Sequence, residues 1–277
     1  MRKQTLTDRL VESRLCADIK QATALVMAGK VLVNNQPARA GCTVKEDDKV
    51  RLKDQKFPYA SKGGLKLEGA LAEMNIDVAG KVCLDAGAST GGFTDCLLQH
   101  GALMVYAVDA GFGQLTGVLR QNEKVRNLEK TNLSDPVLLS LEPRPMIATC
   151  DLSYLSLKDA VPLYRDILHN QGELIALVKP LFEIDDPQAR RSGQIPAAAF
   201  EPLLMELSRY LNSLSGINVC AVCTSPVTGN TGTIEFFFHI LFGAVNERFD
   251  LSDSVKQSVT KAFQIQRYKK AGDLTFG

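Results

Sequence analysis

Residues 83–94, Cys83-Leu84-Asp85-Ala86-Gly87-Ala88-Ser89-Thr90-Gly91-Gly92-Phe93-Thr94, restrict the fold more than any other stretch of this 277-residue chain. A short apolar run ends in an acid, small residues follow, and Leu97 and Leu98 then continue a helical pattern. That order predicts a strand, a glycine-rich turn and a helix N-terminus. With almost no side chains on the turn, a ligand can lie against bare backbone. The next strand-like run, Met104 to Val108, ends in Asp109, where an acid can accept hydrogen bonds from ribose hydroxyls. The pairing points to a bound nucleoside cofactor. Its candidate contacts are Asp85, Gly87, Ser89, Thr90, Gly91, Gly92, Phe93 and Asp109.

From residue 81 onward strand-like and helix-like patterns alternate. Strands are predicted at 82–85, 104–109, 125–128, 146–151, 173–179, 217–224 and 233–241, with helices near 92–100, 158–168 and 198–213. The last two strands follow each other through Pro226 and Gly229 without a helix. This predicts an α/β, Rossmann-like domain over 61–243 whose seven-stranded sheet is mostly parallel, with one antiparallel strand. A helix over 61–74 opens it, and residues 55–60 read as a linker. Residues 183–196, with Asp185-Asp186-Pro187 and Arg190-Arg191-Ser192-Gly193, read as a long polar loop. The tail, 244–277, reads as helical over 252–267 with a basic end at Arg267-Tyr268-Lys269-Lys270.

In open α/β sheets ligands bind beyond the carboxyl ends of the strands. Besides Asp85 and Asp109, the strand ends present Asp151, Lys179 and, before an apolar run, Glu235. An acid and a lysine at neighbouring strand ends need each other, because desolvating an ion costs several kcal/mol unless it is paired. Plain structural readings also exist: Asp85 as a cap on its loop, Asp109 as a turn acid, Asp151 with Lys179 as an ion pair, Glu235 as a solvent-facing residue. Lys66 by itself is a helix-surface lysine.

The net charge of +1 hides an asymmetry: residues 1–66 contain 14 Lys and Arg against 7 Asp and Glu, and the remainder 18 against 24. A basic head on an acidic body predicts that the head meets a polyanion. Residues 1–54 read as a small α+β module of two helices followed by short strands. Arg9, Arg14, Lys20 and Lys30 are its candidate phosphate contacts if the helices share a face. Through Arg9-Leu10-Val11, Gln21-Ala22 and Gly29-Lys30-Val31-Leu32-Val33-Asn34 the module resembles the RNA-binding domain named after ribosomal small-subunit protein four.

Five further segments, taken together, resemble the TlyA (hemolysin A) family of RNA methyltransferases, whose catalytic domain is similar to FtsJ-type ribose methyltransferases. They are Ser61-Lys62-Gly63-Gly64-Leu65-Lys66-Leu67, Asp85 through Asp95, Val108 through Leu115, Asp151-Leu152-Ser153-Tyr154-Leu155-Ser156-Leu157, and Val178-Lys179-Pro180-Leu181-Phe182-Glu183. The resemblance implies S-adenosylmethionine as cofactor and a ribose 2′-hydroxyl of ribosomal RNA, on a cytidine, as acceptor. It also implies a catalytic Lys-Asp-Lys-Glu tetrad falling on Lys66, Asp151, Lys179 and Glu235, with Asp151 also at the cofactor. One departure touches the tetrad: Thr233 stands where the family has Asn.

In this reading Lys179 takes or steers the proton of the ribose hydroxyl. Burial and the cation at Lys66 favour its neutral form, and Asp151 opposes that while holding it in place. Other classes fit less well. A pore-forming cytolysin lacks an apolar run of the roughly 18 residues that span a bilayer, and the N-terminal residues lack a secretory h-region. Seven scattered Cys read as reduced thiols of a cytoplasmic protein, and Cys220-x-x-Cys223 has no second ligand pair, so no metal is expected. A nicotinamide oxidoreductase leaves the basic head unexplained. A non-catalytic ribosome-assembly protein has no use for Asp109 and Lys179 together.

Overall fold

The computed structural model describes residues 4–13, 15–16, 18–34, 36–45, 48, 50–52, 58–229, 232–245 and 249–265. Arg14, the linker positions 55–57 and the basic end at 267–270 lie outside the described residues. The chain divides into two compact units, one built on the residues up to 56 and one on most of residues 57–267.

In the N-terminal unit β1 (Gln4–Thr5) leads into α1 (Leu6–Glu12), and Thr5 caps that helix by accepting from the Asp8 N–H at 3.1 Å. Asp18 caps α2 (Ile19–Met27) in the same way, accepting from Gln21 N at 2.7 Å. Gly29 follows α2 with φ +66°, a left-handed turn that glycine adopts without strain. The strands are β2 (Val31–Val33), β3 (Gln36–Pro37), β4 (Thr43–Val44) and β5 (Val50–Leu52). They form an antiparallel sheet ordered β3-β2-β5 and a β1–β4 pair. Leu6, Leu10, Ala22, Val26, Val31 and Val44 make the core.

The second unit opens with α3 (Lys62–Glu73), β6 (Val82–Ala86), α4 (Gly92–Gln99), β7 (Met104–Asp109), α5 (Gly117–Arg120), β8 (Val125–Glu129) and β9 (Ile147–Cys150). It continues with α6 (Leu157–Ile167), β10 (Glu173–Val178), α7 (Pro180–Glu183), α8 (Pro187–Ser192), α9 (Phe200–Asn212), β11 (Ile217–Thr224), β12 (Phe236–Phe242) and α10 (Ser252–Ala262). The seven strands are ordered β11-β12-β10-β9-β6-β7-β8, and β12 runs antiparallel to the other six. The chain winds outward from β6 through β7 and β8, then restarts on the other side at β9. This reversal opens a crevice beyond the carboxyl ends of β6 and β9, where such folds hold ligands.

Alternate residues of the strands supply the two faces. Leu84, Tyr106, Leu174, Phe236 and Phe238 pack with Tyr164 of α6 and Leu204 of α9. Cys83, Val105, Ile147, Ile175 and Phe237 pack with Leu67 of α3 and Leu97 of α4.

Three expectations change. The linker does not reach residue 60: Tyr59 is buried in the second unit's core, against Gly64, where a Cβ would collide with its ring. The polar stretch 183–196 is partly helical, because Pro187 and the Asp186 cap start α8 and Gly193, at φ +68°, ends it. The last strand begins at Phe236 rather than 233, so Glu235 stands just before it.

Candidate active site

Asp85 does not face the crevice. It is fully buried, with Oδ2 accepting from the Thr94 hydroxyl at 2.6 Å and Oδ1 from the Thr149 hydroxyl at 2.9 Å. Burial pushes its carboxyl up to about 6, against those hydroxyls, which pull it down. Asp85 thus ties β6 to β9 and to the first turn of α4, and the loop-anchoring reading is the one its geometry supports. Phe93 also turns inward, its ring centroid 6.0 Å from that of Phe237.

The turn after β6 is shaped by close approach. Gly87, at φ +84°, lies where a Cβ would sit 2.5 Å from the Asp151 carbonyl oxygen. Gly92 lies where a Cβ would sit 3.0 Å from the Gly64 N, with the Ser61 hydroxyl closer still. The N-termini of α3 and α4 therefore converge on the turn, backbone to backbone. Asp109 spans the turn from the other side, accepting from Ser89 N at 2.8 Å and Gly111 N at 2.7 Å. A carboxylate has room for further donors beyond these two.

The crevice, about 230 Å³, is lined by Gly87, Ser89, Asp109, Gln114, Asp151, Ser153 and Tyr154 among others. Thr90, Gly91 and Gly92 build the turn without lining the crevice. Gln114, Ser153 and Tyr154 were not singled out from the sequence as site residues. The first lies inside the segment Val108 through Leu115, and its amide oxygen accepts from the Ser89 hydroxyl at 3.3 Å.

The four tetrad positions come together as two ion pairs. Lys179 Nζ lies 2.6 Å from Asp151 Oδ1 and also donates to the Leu152 carbonyl at 3.0 Å and the Ser153 hydroxyl at 2.8 Å. Lys66 Nζ lies 2.5 Å from Glu235 Oε2, and both side chains are less than a tenth exposed. Burial raises the Glu235 carboxyl above its ordinary range, and the Lys66 ammonium pulls it down; Asp151 and Lys179 also act on it, which makes the two pairs one electrostatic cluster. Lys66 is thus not a bare cation beside Lys179: Glu235 neutralises it.

In the N-terminal unit α1 and α2 pack through their apolar faces. Lys20 and Lys30 are exposed; Arg9 is half-buried and adds slightly to the Lys45 N–H and Asn34 amide that hold the Asp48 carboxyl below its ordinary range. Arg14 lies outside the described residues.

Residues 59–242 match the FtsJ-like methyltransferase family and residues 6–50 the S4 domain. YqxC of Bacillus subtilis, which is named for rRNA methyltransferase activity, is 34% identical over 275 residues, covering 98% of each chain. TlyA of Mycobacterium tuberculosis, a 16S/23S rRNA (cytidine-2′-O)-methyltransferase by name, is 34% identical over 239 residues, 85% of this chain and 89% of that one. A solved structure from Streptococcus thermophilus bearing a hemolysin name superposes with a TM-score of 0.70 at 34% identity, over 95% of this chain and 97% of that one. With its S4 domain, its α/β domain and these relatives, the chain belongs to the TlyA group of FtsJ-like methyltransferases.

Proposed function

We propose that this protein transfers a methyl group from S-adenosylmethionine to a ribose 2′-hydroxyl of ribosomal RNA, on a cytidine. The observation that carries the reading is the position of the Lys179–Asp151 pair: Asp151 and Ser153 line the same crevice as Gly87 and Asp109. A nucleoside held at one end of that crevice brings its reactive end to the lysine. The residues fit the cofactor. Gly87 and Ser89 line the crevice with a turn almost free of side chains, and Asp109 at its rim suits ribose hydroxyls. The bound cofactor supplies an activated methyl group; the protein aligns the acceptor and manages its proton. Asp151 favours a positively charged donor beside it.

The three oxygens around Lys179 Nζ match the three N–H bonds of an ammonium. In this proposal the acceptor's 2′-oxygen takes the place of the Ser153 hydroxyl on one of those N–H bonds, so that Lys179 orients it, with proton uptake secondary. The S4 domain supplies backbone affinity for the RNA, and the target nucleotide leaves its stack to reach the crevice.

Asp109→Ala is expected to raise the KM for S-adenosylmethionine about 10- to 150-fold, the loss of a charge-assisted hydrogen bond worth about 1.5–3 kcal/mol. An unchanged KM removes Asp109 from the cofactor site. Replacing Arg9, Lys20 and Lys30 together by Ala is expected to weaken RNA binding and flatten its log–log salt dependence by about two to three units. An unchanged slope in filter binding between low and high salt contradicts the assignment. The proposal itself is tested by incubating the protein with tritiated S-adenosylmethionine and rRNA or ribosomal subunits from cells that lack it. Label in the RNA supports it, and its absence from every substrate form removes it.

A further inference from the structure

Lys179 and its acceptors belong to two different strand-end loops. The β10 end carries Lys179, whose next residues form the single turn α7. The β9 end carries Asp151, Leu152 and Ser153 and then runs into α6. The near ends of these loops are joined at Lys179 Nζ. Their far ends are joined by Glu183, the last residue of α7, whose Oε1 accepts from Leu157 N at 2.8 Å.

Leu157 is the first residue of α6, and Ser156, at the N-cap position, makes no side-chain bond to the helix backbone N–H groups. Its hydroxyl donates instead to Asp159 Oδ2 at 2.9 Å. Glu183 therefore caps α6 from another element, with its charge at the positive end of the helix. Its Oε2 is buried and has no hydrogen-bond partner among the described residues, and burial raises its carboxyl above the ordinary range. A group held at such a desolvation cost, four residues from the lysine, is placed there for geometry rather than for net stability.

We infer that Glu183 is a positioning residue for methyl transfer: it closes a ring, Lys179–α7–Glu183–Leu157–Ser153–Lys179, that fixes the ammonium relative to the acceptor oxygen. The ring is rigid on the α7 side because Ile184 N donates to the Pro180 carbonyl at 2.9 Å and Phe182 N to the Lys179 carbonyl at 2.8 Å. Alignment on the scale of an ångström decides the rate of a group transfer, so loosening the ring acts on kcat. Neither Glu183 nor Leu157 lines the crevice, so cofactor affinity is left alone. The kinetic part of this inference rests on the methyltransfer reading.

The experiment compares the wild type, Glu183→Ala and Glu183→Gln by hydrogen exchange and by kinetics. In Glu183→Ala, amides of segments 155–160 and 179–185 exchange faster, kcat falls about 10- to 100-fold and KM for S-adenosylmethionine stays within about threefold, as misplacement without loss of a binding contact predicts. Glu183→Gln keeps the accepting oxygen and restores both exchange protection and kcat to near wild type. Unchanged exchange in Glu183→Ala overturns the ring. Faster exchange with unchanged kcat overturns the positioning role, as does a loss of kcat that Gln does not rescue. A wild type without methyl transfer sinks the functional reading instead, and the exchange data still decide the ring.

Discussion

Lys179→Ala is expected to slow methyl transfer at least about 100-fold, the low end of what a positioned proton-handling group contributes. S-adenosylmethionine affinity is expected to stay within about threefold, because Lys179 does not line the crevice and meets it only through Asp151, Leu152 and Ser153, which do. The variant removes the side chain that joins the two strand-end loops at their near ends, and it leaves the Asp151 carboxylate without its cation. That carboxylate is a quarter exposed, so water can take over its hydrogen bonds and the fold survives. Single-turnover rates and calorimetric cofactor binding separate the two effects. Near-normal transfer removes Lys179 from the chemistry. Equal losses of rate and cofactor affinity shift its role to cofactor binding.

The second large effect concerns stability. Glu235→Ala leaves the Lys66 ammonium buried and unpaired, and breaking such a pair typically costs about 3–5 kcal/mol. Replacing both partners, Lys66→Met with Glu235→Leu, is expected to recover most of that loss, because two apolar side chains need no counter-charge. The double variant is nonetheless expected to transfer methyl groups far more slowly than the wild type, since the cluster that acts with Asp151 and Lys179 is gone. Urea unfolding measures the first expectation and single-turnover assays the second. A loss below about 1 kcal/mol in Glu235→Ala places the pair among weak, solvent-screened contacts. Full activity in the double variant makes the pair structural only.

The fold was legible because its signals are local. Strands such as β7, β9 and β10 are short, mostly apolar runs that end at a polar residue or just before one, and Gly29, Gly87 and Gly193 stand where the backbone takes a left-handed turn. The Asp151–Lys179 pairing was also legible, since two ions at neighbouring strand ends have few other ways to be satisfied. What spacing could not show is orientation. Asp85 and Asp109 both end strands, yet one turns inward to Thr94 and Thr149 while the other rims the crevice. The choice depends on hydroxyls 9 and 64 residues from Asp85.

Glu235 follows Thr233 and Ile234, a departure from the expected pattern. Its place is set by Lys66, 169 residues away, a pairing no local pattern contains. Ser153 and Glu183 lie inside matched segments, but their partners, the Lys179 ammonium and the Leu157 N–H, are supplied by the neighbouring loop. Tyr59 was hidden by Pro58, whose extended bias reads as linker while the next side chain folds into the core.

The account stands most directly on the chemical position of the transferred methyl group. Ribosomal RNA labelled by this protein from methyl-tritiated S-adenosylmethionine is to be hydrolysed in alkali, which cleaves only next to free 2′-hydroxyls. Tritium in an alkali-resistant dinucleotide that begins with cytidine is the predicted result. Tritium in ordinary mononucleotides, marking a methylated base, contradicts it.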